Sequence, residues 1–164
     1  MLPPSPRTER QSKAELYRDV ASAITAVLDG ETDRIARMAT VTAVLKDRFD
    51  TYFWAGFYVV DPVKQNELVV GPYQGTLGCL RISYGRGVCG TAAATRTTQI
   101  VPDVHAFPGH IACDSRSNSE IVVPVFDADN QLIAVFDVDS VSFSAFDDTD
   151  AFWLEQILKT TFQM

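Results

Sequence analysis

The chain has 164 residues, 46% of them hydrophobic and 21% charged, which argues for one domain with its own core and excludes a disordered, collagen-like or repeat-built chain. Its formal charge is -7, from 21 acids against 14 bases, and between Asp127 and Leu158 there are eight acids and no base. Such a surface does not attract phosphate backbones or anionic lipid, so nucleic acid and membrane are poor partners and a cationic or zwitterionic ligand is the better match.

Residues 1–11 read as a loose, proline-containing tail. They lack the apolar core of a signal peptide, so a cytosolic location is expected. Leu16, Val20, Ile24, Val27 and Leu28 form one helical stripe, with Ser12 as N-cap, Glu15 completing a capping box and Gly30 ending the helix. Ile35, Met38, Val41, Thr42 and Leu45 make a second stripe. The period then changes to two: Phe53–Asp61 reads as a strand, Asp61-Pro62 with Asn66 as a turn, and Glu67–Gly71 as the hairpin partner. A short strand near Leu80–Ile82 and a glycine-rich turn lead to a small-residue helix around Thr91–Thr95. Residues 103–119 show no period and read as a long loop, a feature that is more often functional than not. Ile121–Phe126 and Leu132–Val138 form a hairpin about Ala128–Asn130, and the acidic stretch Asp147–Asp150 opens a last helix carrying Phe152, Leu154, Ile157 and Leu158. The apolar runs are strand-length, too short to cross ~30 Å of hydrocarbon. The expected class is α+β: a single domain over residues 12–164, with a largely antiparallel central sheet and helices packed on its faces.

Several groups of residues point to chemistry. Gly85–Gly90 matches G-x-G-x-x-G, and Asp103 lies 18 residues after Gly85. A dinucleotide site needs a long strand within a parallel βαβ unit, so a tight turn into a helix is the better reading. Cys79, Cys89, His105, His110 and Cys113 fall within 35 residues, but the cysteine gaps of ten and twenty-four lack the close pairs of structural zinc. No bound metal is expected, and the two histidines read as loop residues. Three cysteines are an odd number, so they are buried thiols or reactive ones and not a disulfide framework. Cys113 sits among polar residues in the long loop, the setting of a reactive thiol; His110 and Arg116 would lower its pKa and Asp114 would raise it. On the first strand Trp54, Gly56, Tyr58 and Val60 share a face, with Gly56 leaving a gap between two aromatic rings. Asp137 and Asp139 point the same way from an otherwise apolar strand, and Glu120 is close enough in sequence to the cysteine loop to join them.

The segments WAGFY, ELVVGPYQG, CLRI, GRGVCGTAAA, VVPDVHAFPGHIACDS, SNSEIVVPVF and DVDS resemble the free methionine-(R)-sulfoxide reductases, enzymes built on a GAF domain. The resemblance is dense from Phe53 to about Asp148. It implies that Cys113 is the nucleophile, that Cys79 is a resolving cysteine and that Cys89 can act as a second resolver. It implies that Trp54 and Tyr58 wall the methyl-sulfoxide pocket, the indole N–H holding one edge of it polar. Glu120, Asp137 and Asp139 would bind the substrate and assist proton transfer, with Glu120 or Asp139 as the proton donor. It further implies a homodimer with no bound cofactor, re-reduced by thioredoxin. Phe136 departs from the family pattern, which has an aliphatic residue there; the change would affect packing and leave the carboxylates untouched. The competing class is a GAF module that binds a ligand or senses redox state without catalysis.

Overall fold

Alternation along the central strands sorts their side chains onto two unlike faces. A computed structural model describes residues 11–164; the tail expected at 1–11 lies, except for Gln11, outside the described residues. In chain order the elements are α1 (Lys13–Val27), α2 (Arg34–Arg48), β1 (Trp54–Val60), β2 (Glu67–Gln74), β3 (Arg81–Ser83), α3 (Gly87–Thr95), β4 (Gln99–Val101), a 3-10 turn at Val104–Ala106, β5 (Ser119–Phe126), β6 (Leu132–Ser140) and α4 (Asp148–Phe162). The strands form one six-stranded sheet in the order β3-β2-β1-β6-β5-β4, and every pairing is antiparallel.

One face carries Ala55 and Phe57 of β1, Ile121, Val123 and Val125 of β5, and Ala134, Phe136 and Val138 of β6. The stripes of α1, α2 and α4 close over it in a dry layer. Phe136 is fully buried there against Phe57, ring centroids 4.8 Å apart, on the side away from the two aspartates. The other face carries Trp54, Tyr58, Val122 and Val135, covered by α3 and the loop after the 3-10 turn. With every strand antiparallel, Gly85–Gly90 is not part of a dinucleotide fold; it is the turn into α3, which begins at Gly87, four residues earlier than the sequence suggests. The three-residue strand β4 was not foreseen, because three residues are too few to show a period. Three residues assigned to stripes, Val27, Ile35 and Phe152, stand 55–68% exposed at the ends and edges of their helices.

The predicted capping box at Ser12 and Glu15 is present, and Asp147 with Asp150 forms a second. Asp150 also ties the helical layer together. Its carboxylate accepts from Tyr17 Oη (2.6 Å) and Lys13 Nζ (2.7 Å), and Tyr17 shares a 2.7 Å hydrogen bond with Tyr52 Oη. Asp150 is only 2% exposed, so deleting its carboxylate orphans buried donors from α1 and removes a cap. Asp150→Ala should destabilise the fold by about 3 kcal/mol, and Tyr17→Phe, which removes a hydroxyl alone, by about 1 kcal/mol. The midpoints of urea unfolding at constant m-value check both.

Candidate active site

Three neighbouring strands assemble the floor of a pocket under α3. In register, Asp139 of β6 lies between Trp54 of β1 and Glu120 of β5, and Asp137 lies between Gly56 and Val122. Directly paired antiparallel residues share a face, so Trp54, Tyr58, Glu120, Asp137 and Asp139 all point to the α3 side. The indole of Trp54 stacks on Tyr58 at 5.7 Å and on Tyr73 at 5.2 Å. The expected gap at Gly56 is not open. Tyr73 crosses β1 so closely there that a Cβ on Gly56 would overlap the Tyr73 Cβ. Nor does the indole N–H face the pocket; it donates to the Thr76 carbonyl (2.8 Å) and fixes the ring plane.

The roof comes from the start of α3 and from the two cysteine loops. Cys79 and Cys113 are joined as a disulfide with Cα atoms 5.7 Å apart, a normal span. The loops are also tied by Thr76 Oγ1 donating to Asp114 Oδ2 (2.8 Å). Arg116 grips the same carboxylate through Nε and Nη2 and lies over the Phe53 ring at 4.8 Å. Arg116 therefore neutralises Asp114, holding that carboxyl well below its usual range, and is not free to activate Cys113 as the sequence suggested. Ile111 packs on the α3 turn where Gly87 has φ +61°, a left-handed backbone that favours glycine, and a Cβ there would press on the Ile111 side chain. The α3 N-terminus has no side-chain cap and lines the pocket, so its first N–H groups are donors for an anion.

The cavity measures about 40 Å³ and is partly open to the surface. Trp54, Tyr58, Cys89, Cys113, Glu120, Asp137 and Asp139 line it, and Cys79 stands at its rim through the disulfide. The residues singled out in the sequence are thus brought together. His105 is not; it bonds Asn118 at 2.9 Å, so the cysteine–histidine group weighed for zinc does not form. His110, read as a plain loop residue, instead lines the cavity with Nε2 3.5 Å from Glu120 Oε2. Tyr73 and Thr76 were also missed; nothing in a strand end and a turn announces contact with a tryptophan on another strand.

The electrostatics follow from burial. Desolvation pushes the Glu120 carboxyl well above its usual range, and Asp139 adds to this. Asp137 is raised by burial and by Glu120. Asp139 is raised by burial and by Asp137, against a hydrogen bond from Ser117 that favours the charged form. The Cys89 thiol is pushed up by burial and then by the same acids, so it is not a thiolate. Desolvation lowers the His110 pKa, leaving a neutral ring. Asp137 Oδ1 is buried with no hydrogen-bond partner among the described residues. The pocket therefore combines an aromatic wall, buried carboxyls with raised pKa values, one carboxyl oxygen without a partner among the described residues and a disulfide-linked cysteine pair.

Residues 31–161 match the GAF domain family. The chain is 52% identical to GAF domain-containing protein A of Dictyostelium discoideum, over 90% of this chain and 91% of that protein. It is 46% identical to free methionine-R-sulfoxide reductase of Escherichia coli, over 90% of this chain and 87% of that protein. Among solved structures, free methionine-R-sulfoxide reductase from Neisseria meningitidis in complex with its substrate superposes with a TM-score of 0.87 at 48% identity, covering 94% and 91% of the two chains.

An acid whose folded pKa is raised binds more protons folded than unfolded, so stability falls as pH rises from the unfolded pKa, about 4, toward the folded one. Asp137→Asn removes one such group at constant shape. The variant should melt higher than the parent at pH 7 in chelator, with the gap narrowing toward pH 4. A calorimetric series across that range checks it, and a gap independent of pH would contradict the burial argument.

Proposed function

The chain belongs to the free methionine-(R)-sulfoxide reductases, enzymes built on a GAF domain, and we propose that its Cys113 thiolate attacks the sulfur of the bound sulfoxide. It is an oxidoreductase that reduces free methionine-(R)-sulfoxide to methionine. The observation that carries the residue assignment is the Cys79–Cys113 disulfide at the rim of a pocket walled by Trp54 and Tyr58 and floored by Glu120, Asp137 and Asp139.

The substrate is a zwitterion with a polar S=O. Its methyl and sulfur lie against Trp54 and Tyr58. Its ammonium pairs with the acid floor, and its carboxylate faces the uncapped start of α3. The Cys113 thiolate bonds to the substrate sulfur while a carboxyl (Glu120 or Asp139) protonates the sulfoxide oxygen. The substrate S–O bond then breaks as that hydroxyl passes to the Cys113 sulfur, so the substrate sulfur is reduced by two electrons and leaves as methionine, and Cys113 is oxidised by two to a sulfenic acid. Cys79 then condenses with that sulfenic acid, expelling water and closing the disulfide. In this proposal Cys79, with its Cα 5.7 Å from that of Cys113, is the first resolver. Cys89, buried among the acids with its thiol protonated, serves as a reserve. A dithiol protein of the thioredoxin type restores both thiols by exchange, and no bound cofactor takes part. The catalytic domain spans 12–164, acts in the cytoplasm as a homodimer, and repairs the free amino acid after oxidative stress.

A coupled assay following NADPH with thioredoxin reductase and thioredoxin tests this. Turnover is expected with the R epimer and not the S epimer, and none from Cys113→Ser. Cys79→Ser should release about one methionine per chain in a single turnover and then slow at least tenfold under thioredoxin. Thiol oxidation by peroxide without sulfoxide turnover would instead favour the redox-sensing module.

A further inference from the structure

One cluster in the pocket has a donor set that the reductase chemistry does not require as a set. Cys89 Sγ, a Glu120 carboxylate oxygen and an Asp137 carboxylate oxygen all lie within 4.8 Å of one another. Cys89 is 4% exposed, and Glu120 and Asp137 are 5% exposed. Asp137 Oδ1, one of the two oxygens on that side chain, is buried without a partner among the described residues. His110 Nε2 approaches the other side of the Glu120 carboxylate at 3.5 Å, on the loop that roofs the cavity. A thiol, two carboxylates and an imidazole are borderline-soft donors of the kind that Zn²⁺ takes in tetrahedral geometry; Mg²⁺ and Ca²⁺ prefer all-oxygen shells.

We propose that Cys89, Glu120, Asp137 and His110 form a zinc-type cation site whose occupation blocks the pocket. Three of the four donors sit on rigid elements, α3, β5 and β6, so the set is pre-assembled. The three donors within 4.8 Å of one another draw in to reach metal–ligand distances of about 2.0–2.3 Å, and His110 joins them from its loop beside Glu120. On binding, the Cys89 S–H proton and the protons that burial holds on Glu120 and Asp137 are released to solvent, and the thiolate and the two carboxylates take the metal. The cation then stands where the substrate ammonium is placed above, and engages Glu120, a candidate proton donor. The site uses neither Cys79 nor Cys113, so it exists in the oxidised and the reduced chain alike. That separates it from the ordinary capture of a metal by a reactive cysteine pair.

The cation site stands on geometry alone, whereas its competition with substrate rests on the reductase assignment; two experiments separate them. The first uses the oxidised full chain after treatment with chelator, in which Cys89 is the free thiol. Titration with Co²⁺ should give a thiolate-to-cobalt charge-transfer band and tetrahedral d–d bands, both displaced by Zn²⁺. Cys89→Ser should abolish the charge-transfer band, and Asp137→Asn and His110→Gln should each weaken cobalt binding at least about tenfold. Near-UV circular dichroism of each variant confirms that the fold persists. Absence of the band in the parent, or its survival in Cys89→Ser, overturns the site. The second uses the Cys79→Ser/Cys113→Ser chain, which cannot turn over and keeps Cys89 as its one cysteine. Free methionine-(R)-sulfoxide should displace cobalt from it. Cobalt bands that ignore the substrate overturn the competition and leave the cation site standing, while failure of R-epimer turnover in the coupled assay bears on the reductase assignment alone.

Discussion

Three carboxyl groups taken out of water on the central strands set the terms for the rest of the molecule. Asp137 and Asp139 stand on β6 and Glu120 beside them on β5. Burying an ionised carboxylate costs on the order of several kcal/mol, so such groups persist only where other packing offsets them. Here the offset lies on the same strands. One residue away from each acid, Phe136, Val138 and Ile121 are fully buried in the helical layer. A one-residue slip of β6 would drive both aspartates into that layer and turn the apolar side chains outward, so the acids and the core specify one another's register.

The same burial prepares the chemistry. A carboxyl raised well above its usual range holds its proton to higher pH, the direction a proton donor needs. Mutual repulsion among the acids adds to the effect of desolvation, and a cation placed between them relieves both. Free methionine sulfoxide brings an ammonium for that place. A methionine sulfoxide within a peptide chain has none, and would leave buried acids unpaired. In the proposed binding mode, selection for the free amino acid follows from the cost of the empty site and needs no separate gate.

Much of this was legible in the residues because it depends on period two. DVDS within an apolar run places two carboxyls on one face whatever the partner strands are, and WAGFY does the same for its aromatics. The helices were legible through their caps, Ser12 with Glu15 and the acids at Asp147–Asp150. Contacts between distant loops were not. The Thr76–Asp114 bond joins positions 38 residues apart, and no local pattern marks either end. His110 reads as a loop histidine until the chain folds it onto Glu120, and Gly56 reads as a gap until Tyr73 is seen to fill it. The cysteine–histidine spacing was silent on the cluster about Cys89 for the same reason: its carboxyl neighbours come from strands, 31 and 48 residues further along.

The Cys79–Cys113 disulfide imposes an order on the proposed reaction. While it is closed, the Cys113 sulfur is bonded to Cys79 and has no thiolate to offer a sulfoxide. The disulfide form and the reacting substrate complex are therefore alternatives. The bond between Cys79 and Cys113 has to be reduced before the sulfoxide reacts. Substrate and reductant then meet the protein in separate encounters, a ping-pong sequence with the disulfide as the stored oxidised state. The Thr76–Asp114 hydrogen bond ties the same two loops independently of the disulfide, so resolution of the sulfenic acid, as proposed, is a closure between neighbouring loops above the sheet.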